Sequence, residues 1–353
     1  MLTLDNHDEY AKLDAGRMLH FLRELPEVAE AAFDRGQAAR LPIAQPRCVL
    51  ICGMGGSAIS GDLIRTQLVG ACDVPVVVHR GDQLPRFAGP DTLAIFMSYS
   101  GNTGETLGCL RQAIARGVPS VVVTHGGEAG KLAEQHGLPT VSMPAGWMPR
   151  AALGDLFFAL LGVVSQLATC ESPDVVGAVA NLRALRDRID ETVVTKENPA
   201  KRLALALHGK TPVVVGATPT TEAVAVRWKC QLNENSKQTA LVAILPEATH
   251  NDIVNLTASS HSGHHLIVVT DPEDSEFVRR QRAITLDLMR PFVGGVHEIE
   301  GQGDSLLARQ LTAIYMGDYV SVYLGFLKGV DPTPVDTIFA LKDRMKVAME
   351  GVR

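Results

Sequence analysis

The stretch Cys48-Val-Leu-Ile-Cys-Gly-Met-Gly-Gly-Ser-Ala-Ile-Ser-Gly-Asp62 decides the fold class. Its apolar start, Cys48–Cys52, lacks polar alternation, the pattern of a strand buried on both faces. Gly53, Gly55 and Gly56 follow, and then Ala58–Val69 carries apolar residues at helical spacing. Strand, glycine turn and helix form the repeating unit of a parallel sheet covered by helices. Bare glycines let backbone N–H groups approach an anion, and the positive end of the helix dipole favours negative charge there. Gly56 and Ser57 are therefore candidate phosphate ligands. The rivals are a plain tight turn and a dinucleotide site. A dinucleotide site needs an acidic residue at the end of the next strand, whereas that strand ends in His79-Arg80.

Outward from this unit the same alternation continues. Val74–His79, Leu93–Ser98, Ser120–Thr124 and Thr140–Ser142 read as strands, and Thr106–Arg116 as an amphipathic helix. A long apolar helix is expected from Pro149 to about Ala168, and another from Pro173 to Thr192. Strands then resume at Pro212–Val215, Ala240–Leu245, Leu266–Val269 and Val296–Ile299, with a helix near Thr221–Leu232. The expected class is α/β, with two parallel sheets each flanked by helices. The chain has 353 residues, 46% of them hydrophobic, enough for two cores. We place the domains at 1–170 and 171–353, packed rigidly for want of a low-complexity linker, with the cleft between them as the default ligand site.

A second motif, Ser98-Tyr-Ser-Gly-Asn-Thr-Gly-Glu-Thr106, ends another strand and opens another helix. Ser98, Ser100 and Thr103 can donate to phosphate oxygens beside free backbone amides, without any lysine. The simpler reading is that Ser100 or Thr103 only caps the helix.

A formal net charge of −6 supplies no general field for polyanions, which argues against a nucleic-acid partner. Any phosphate must be held locally. The longest apolar run, Leu156–Val164, is too short to cross a bilayer, and Met1–Leu25 lacks the apolar core of a signal peptide, so a soluble, cytoplasmic protein is expected. The six cysteines, Cys48, Cys52, Cys72, Cys109, Cys170 and Cys230, form no C-x-x-C and are read as reduced, buried, small hydrophobes. No His/Asp/Glu cluster has metal-ligand spacing, so no metal is expected and activity should survive a chelator. No G-x-S-x-G elbow follows a strand, which sets a serine hydrolase aside.

Five segments, in order, carry a family resemblance: Gly53–Ile59 with Ser98–Thr103; Met148-Pro-Arg150-Ala-Ala-Leu-Gly154; Leu232-Asn-Glu234-Asn-Ser-Lys237; Pro246-Glu247-Ala-Thr-His250-Asn251; and Gly329–Lys342. They resemble the bifunctional phosphoglucose/phosphomannose isomerases of bacteria and archaea, built on the sugar isomerase (SIS) fold. The resemblance implies a cofactor-free aldose–ketose isomerase acting on a hexose 6-phosphate through a cis-enediol. It also assigns roles. Glu234 is the base that moves the proton between C1 and C2. His250 opens the sugar ring with help from Lys342, for which Lys346 is a substitute candidate. Arg150 stabilises the enediolate.

Physical chemistry makes each assignment sensible. A carboxylate whose pKa is raised by partial burial suits the base, imidazole exchanges protons near neutral pH, and a fixed guanidinium stabilises developing negative charge. Two departures from the family pattern stand out: Gly104, where relatives usually carry Glu, and Ala248-Thr249 before His250. The resemblance further implies a homodimer in which His250 is shared across the interface, and tolerance of both C2 epimers through a roomy pocket near Thr333. The alternatives are another SIS-fold isomerase for an amino-sugar or pentose phosphate, and a non-catalytic sugar-phosphate sensor.

Overall fold

The structure is a computed structural model that describes residues 3–167, 170, 172–258 and 261–350. The elements run α1 (His7–Tyr10), α2 (Met18–Gln37), β1 (Cys48–Gly53), α3 (Gly55–Leu68), β2 (Val76–His79), β3 (Thr92–Met97), α4 (Gly104–Ala115), β4 (Ser120–Thr124), α5 (Gly127–Gln135) and β5 (Thr140–Ser142). Then come α6 (Leu153–Val164), α7 (Val175–Ile189), α8 (Pro199–Leu207), β6 (Thr211–Ala217), α9 (Glu222–Asn235) and β7 (Leu241–Leu245). A 3-10 turn over Glu247–His250 leads to α10 (Asp252–Ala258), β8 (His264–Thr270), α11 (Glu276–Met289), β9 (Val296–Glu300), α12 (Leu306–Leu327) and α13 (Asp336–Glu350).

Two wholly parallel sheets result, with strand orders β2-β1-β3-β4-β5 and β7-β6-β8-β9. Alternate residues of β1 face opposite ways, as a strand dictates. Val49 and Ile51 join a large core shared with the helices between the sheets, while Leu50 and Cys52 join a smaller core under α4 and α5. The second sheet divides likewise. Val214, Ile267 and Val269 belong to the large core, and Val213, Val215, Leu266 and Val268 pack beneath α10 and α11. The large core therefore runs without interruption from one sheet to the other. At roughly 25 cal/mol per Å² of apolar area removed from water, such a shared core ties the halves together far more firmly than surface contacts do.

Every expected strand is present, with ends shifted by two residues or fewer. The helix expected from Pro149 instead begins at Leu153, because Met148–Ala152 forms a turn first; Ala168 lies outside the described residues. The helix expected over Pro173–Thr192 spans Val175–Ile189, capped by the Asp174 carboxylate on the Gly177 amide. The reading of six reduced cysteines is corrected: Cys72, past the end of α3, and Cys170, past the end of α6, form a disulfide with Cα atoms 4.5 Å apart. Helix packing rather than sequence spacing brings them together. Cys52 and Cys109 are buried, whereas Cys48 and Cys230 are only partly so.

Candidate active site

In the first sheet the strand order reverses between β1 and β3, and both glycine- and serine-rich motifs follow those two strands. Ligands of open parallel sheets bind at such a switch point, outside the carboxyl ends of the strands. The glycines allow close approach. A Cβ on Gly53 would sit 3.2 Å from the Met97 carbonyl oxygen, and one on Gly56 would sit 3.2 Å from that of Pro149. The turn after β1 is thus pressed against both the end of β3 and the backbone that carries Arg150.

Neither helix at this edge has a side-chain cap. Met54 precedes α3 in extended conformation and Thr103 precedes α4, and neither side chain bonds the helix amides. Thr103 Oγ1 instead shares a 2.9 Å hydrogen bond with Ser98 Oγ. Thr103 thus occupies the cap position without capping, so the amides of the first turn stay available. Ser57 and Ser98 are buried, while Ser100 is exposed and its hydroxyl accepts from the Asn102 amide at 3.3 Å. Gly104 stands in open space, so the departure there leaves the first turn of α4 bare without strain.

Arg150 lies in the turn between β5 and α6 and is buried. Its Nε donates to Asn235 Oδ1 at 2.7 Å, and Nη2 donates to the carbonyls of Pro332 and, at 2.7 Å, Thr333. Nη1 faces the Glu234 carboxylate at 3.9 Å. Burial pulls the guanidinium below its ordinary pKa, opposed by Glu234 and Asp331. Glu234, in the last turn of α9, is one-third exposed at its side chain. Lys237 reaches back to the carbonyl of Glu234 at 2.7 Å and to that of Pro332 at 3.1 Å, so the simple surface pair of Glu234 with Lys237 does not form through the carboxylate. Burial and the adjacent Arg150 push the Lys237 ammonium down.

Gly56, Ser57, Ser98, Thr103, Arg150 and Glu234 thus belong to one meeting of the first sheet's carboxyl edge with the end of α9. His250 and Lys342 do not join it within the chain. His250 is exposed in the turn after β7, and Lys342 is exposed on α13, which is exposed along its described side chains. The side chain of Lys346 is outside the described residues. Sequence reasoning missed Asn235, and the hydroxyl of Thr333, a residue it did name, is buried and unpartnered. The signal for Asn235 was its place directly after Glu234.

The chain is 38% identical over 334 residues to the bifunctional phosphoglucose/phosphomannose isomerase of Caldicellulosiruptor bescii, covering 93% of this chain and 98% of that protein. It belongs to that family. The Aquifex aeolicus member of the bifunctional phosphoglucose/phosphomannose isomerases is 33% identical, over 84% of this chain and 90% of its own. Residues 196–345 match the model of the bacterial phospho-glucose isomerase C-terminal SIS domain. The SIS fold of the family is also seen in the crystal structure of a glucose-6-phosphate isomerase like protein from Thermus thermophilus. That structure aligns with a TM-score of 0.65 at 18% identity, covering 97% of this chain and 99% of that one.

Proposed function

We propose that the protein interconverts glucose 6-phosphate, mannose 6-phosphate or both with fructose 6-phosphate through a cis-enediol. The observation that carries this reading is the pairing of Glu234 with the buried Arg150 beside two uncapped helix N-termini. The amides and hydroxyls of Gly56, Ser57, Ser98, Ser100 and Thr103 hold the phosphate. Glu234 removes the proton from C2 of the open aldose. The electron pair forms the C1–C2 double bond of the enediolate, and Arg150 offsets the charge on oxygen. The C2 hydroxyl proton passes to O1 and Glu234 returns its proton to C1, leaving the ketone at C2 and a hydroxyl at C1. In this reading residues 1–170 bind phosphate and 171–353 supply the proton chemistry.

Ring opening falls to His250, with Lys342 as the assisting cation, and supports a homodimer. α9 returns from the carboxyl to the amino edge of the second sheet, so Glu234 lies at the amino edge. β7 then crosses back before His250, and its five residues span roughly 15 Å. One chain therefore holds the two groups at opposite edges, and the partner subunit's His250 completes the site. No helix of the described residues is long and apolar enough to cross a membrane, which fits a cytoplasmic enzyme.

A coupled assay for fructose 6-phosphate with each hexose phosphate tests the substrate. Turnover of only an amino-sugar or pentose phosphate refutes it. Mixing E234Q with H250A subunits tests the sharing. An exchanged dimer regains one intact site if His250 crosses the interface, and none if it acts within its own chain.

A further inference from the structure

Buried cations normally need a buried carboxylate, because an unpaired charge away from water costs several kcal/mol. Two of the three buried arginines obey this. Arg227 Nη2 lies 2.7 Å from Asp318 Oδ2, and Arg309 Nε lies within 3.1 Å of both Asp271 oxygens. Arg150 is the exception among these three arginines. Its hydrogen bonds go to neutral acceptors, namely the Asn235 amide oxygen and the carbonyls of Pro332 and Thr333, and its nearest carboxylate is the partly exposed Glu234 at 3.9 Å.

Asn235 is fully buried, and its amide has only one workable orientation. Arginine offers donors only, so Oδ1 must face Arg150. On the other side Nδ2 donates to Ser321 Oγ at 2.9 Å, and that hydroxyl has already given its proton to the Asp318 carbonyl at 2.6 Å. Ser321 can therefore only accept. α12 thus fixes the Asn235 amide, and the amide fixes the plane of the guanidinium. α12 also grips the arginine backbone, since Arg227, held by Asp318, donates to the Arg150 carbonyl at 3.1 Å. An aspartate at 235 would hold the guanidinium more strongly. It would also cancel the positive charge that the reaction needs.

We propose that Asn235 is a positioning residue of the isomerase. It fixes Arg150 through a neutral bond so that Nη1 faces the reacting carbons beside Glu234 with its charge undiminished. This rests on Glu234 and Arg150 acting as proposed above.

N235D is the decisive variant, being nearly isosteric. The kcat for hexose-phosphate isomerisation should fall by about 10²- to 10³-fold, the loss typical of removing one preorganised donor to a developing oxyanion. KM should change little, because the phosphate is held elsewhere, and the melting temperature should hold. A merely structural residue would move melting temperature and leave kcat alone. If N235D does not fold, S321A replaces it. That variant removes only the acceptor that orients the amide, and kcat should drop while KM is kept. E234Q is assayed beside them. Turnover surviving in E234Q refutes the base assignment, whereas kcat unchanged in folded N235D, or in S321A where it stands in, overturns the present inference whatever E234Q does.

Discussion

The two sheets share a topology and use it in opposite ways. In each, the strand order reverses beside the first strand, between β1 and β3 and between β6 and β8. At the first reversal the strand ends present glycines, uncapped helix amides and the hydroxyl pair of Ser98 and Thr103. At the second, the same space is occupied by the protein's own charges. Arg309 grips Asp271, Arg282 pairs with Asp274, and Thr220 donates to Asp274 at 2.5 Å. Thr221, at the head of α9, spends its hydroxyl on Ala217 and Val269. Equal topology supplies equal helix dipoles, but side chains decide whether an anion can enter. The second half contributes from the far end of its helix instead, where α9 delivers Glu234 to the edge of the first sheet.

The most damaging way to probe that division is at Glu234. E234Q keeps the shape and removes the proposed base, so kcat should fall by about 10³-fold, within the usual range for a positioned general base. Affinity for a linear sugar-phosphate inhibitor, measured by calorimetry, should be retained under the proposal that the first half holds the phosphate. D274N, at the closed reversal of the second sheet, should leave both quantities in place. Loss of turnover in D274N with normal folding would mean that the second reversal is also a working site.

The first half of this picture was legible in the sequence because its signals are local. Unbroken apolar runs mark Cys48–Gly53 and Ser120–Thr124 as buried strands, and glycine at 53, 55 and 56 marks a place where backbone must come close to something. The longest helix was not legible. α12 is buried on every side from Leu307 to Phe326, so it shows no amphipathic period to read, and α2 was hidden in a charged N-terminus. The roles of Arg150 and Glu234 rested mainly on resemblance. What makes them a pair is the fold, which joins residues 84 apart along the chain, and the neutral clamp around Arg150 involves Pro332 and Thr333, farther still. Residue type announces chemistry, but only packing announces partners.

A smaller effect should separate the two reversals by their hydroxyls. T103V removes one donor from the open site and leaves the buried Ser98 hydroxyl without its partner. Hydrogen bonds to charged groups contribute about 1.5–3 kcal/mol, so KM for the hexose phosphate should rise by roughly 10- to 100-fold. Inhibition by inorganic phosphate should weaken in step. T220V, the counterpart at the closed reversal, should cost stability by leaving Asp274 short of a donor, yet leave KM unaltered. Equal KM effects from the two substitutions would show that the contrast between the sheets is not about anion binding.

The least effect expected concerns acid. The amino edge of the second sheet carries His265, buried, with Nε2 2.7 Å from His297 Nδ1, so one neutral ring donates to the other. Burial, His297 and Lys210 push His265 down to about 4. The unfolded chain takes up a proton near pH 6.5 that the folded chain refuses until about pH 4, so this residue's contribution to stability declines as pH falls through that window. Between pH 7 and about 5.5 the decline should be about 1 kcal/mol. The open site of the first sheet relies on amides and hydroxyls, which do not titrate there. Denaturant midpoints at the two pH values should therefore converge in H265F, whose ring fills the same space against Gly295 without binding a proton. An unchanged pH slope in that variant would mean that His265 is not the source of the acid sensitivity and remove this part of the contrast between the halves.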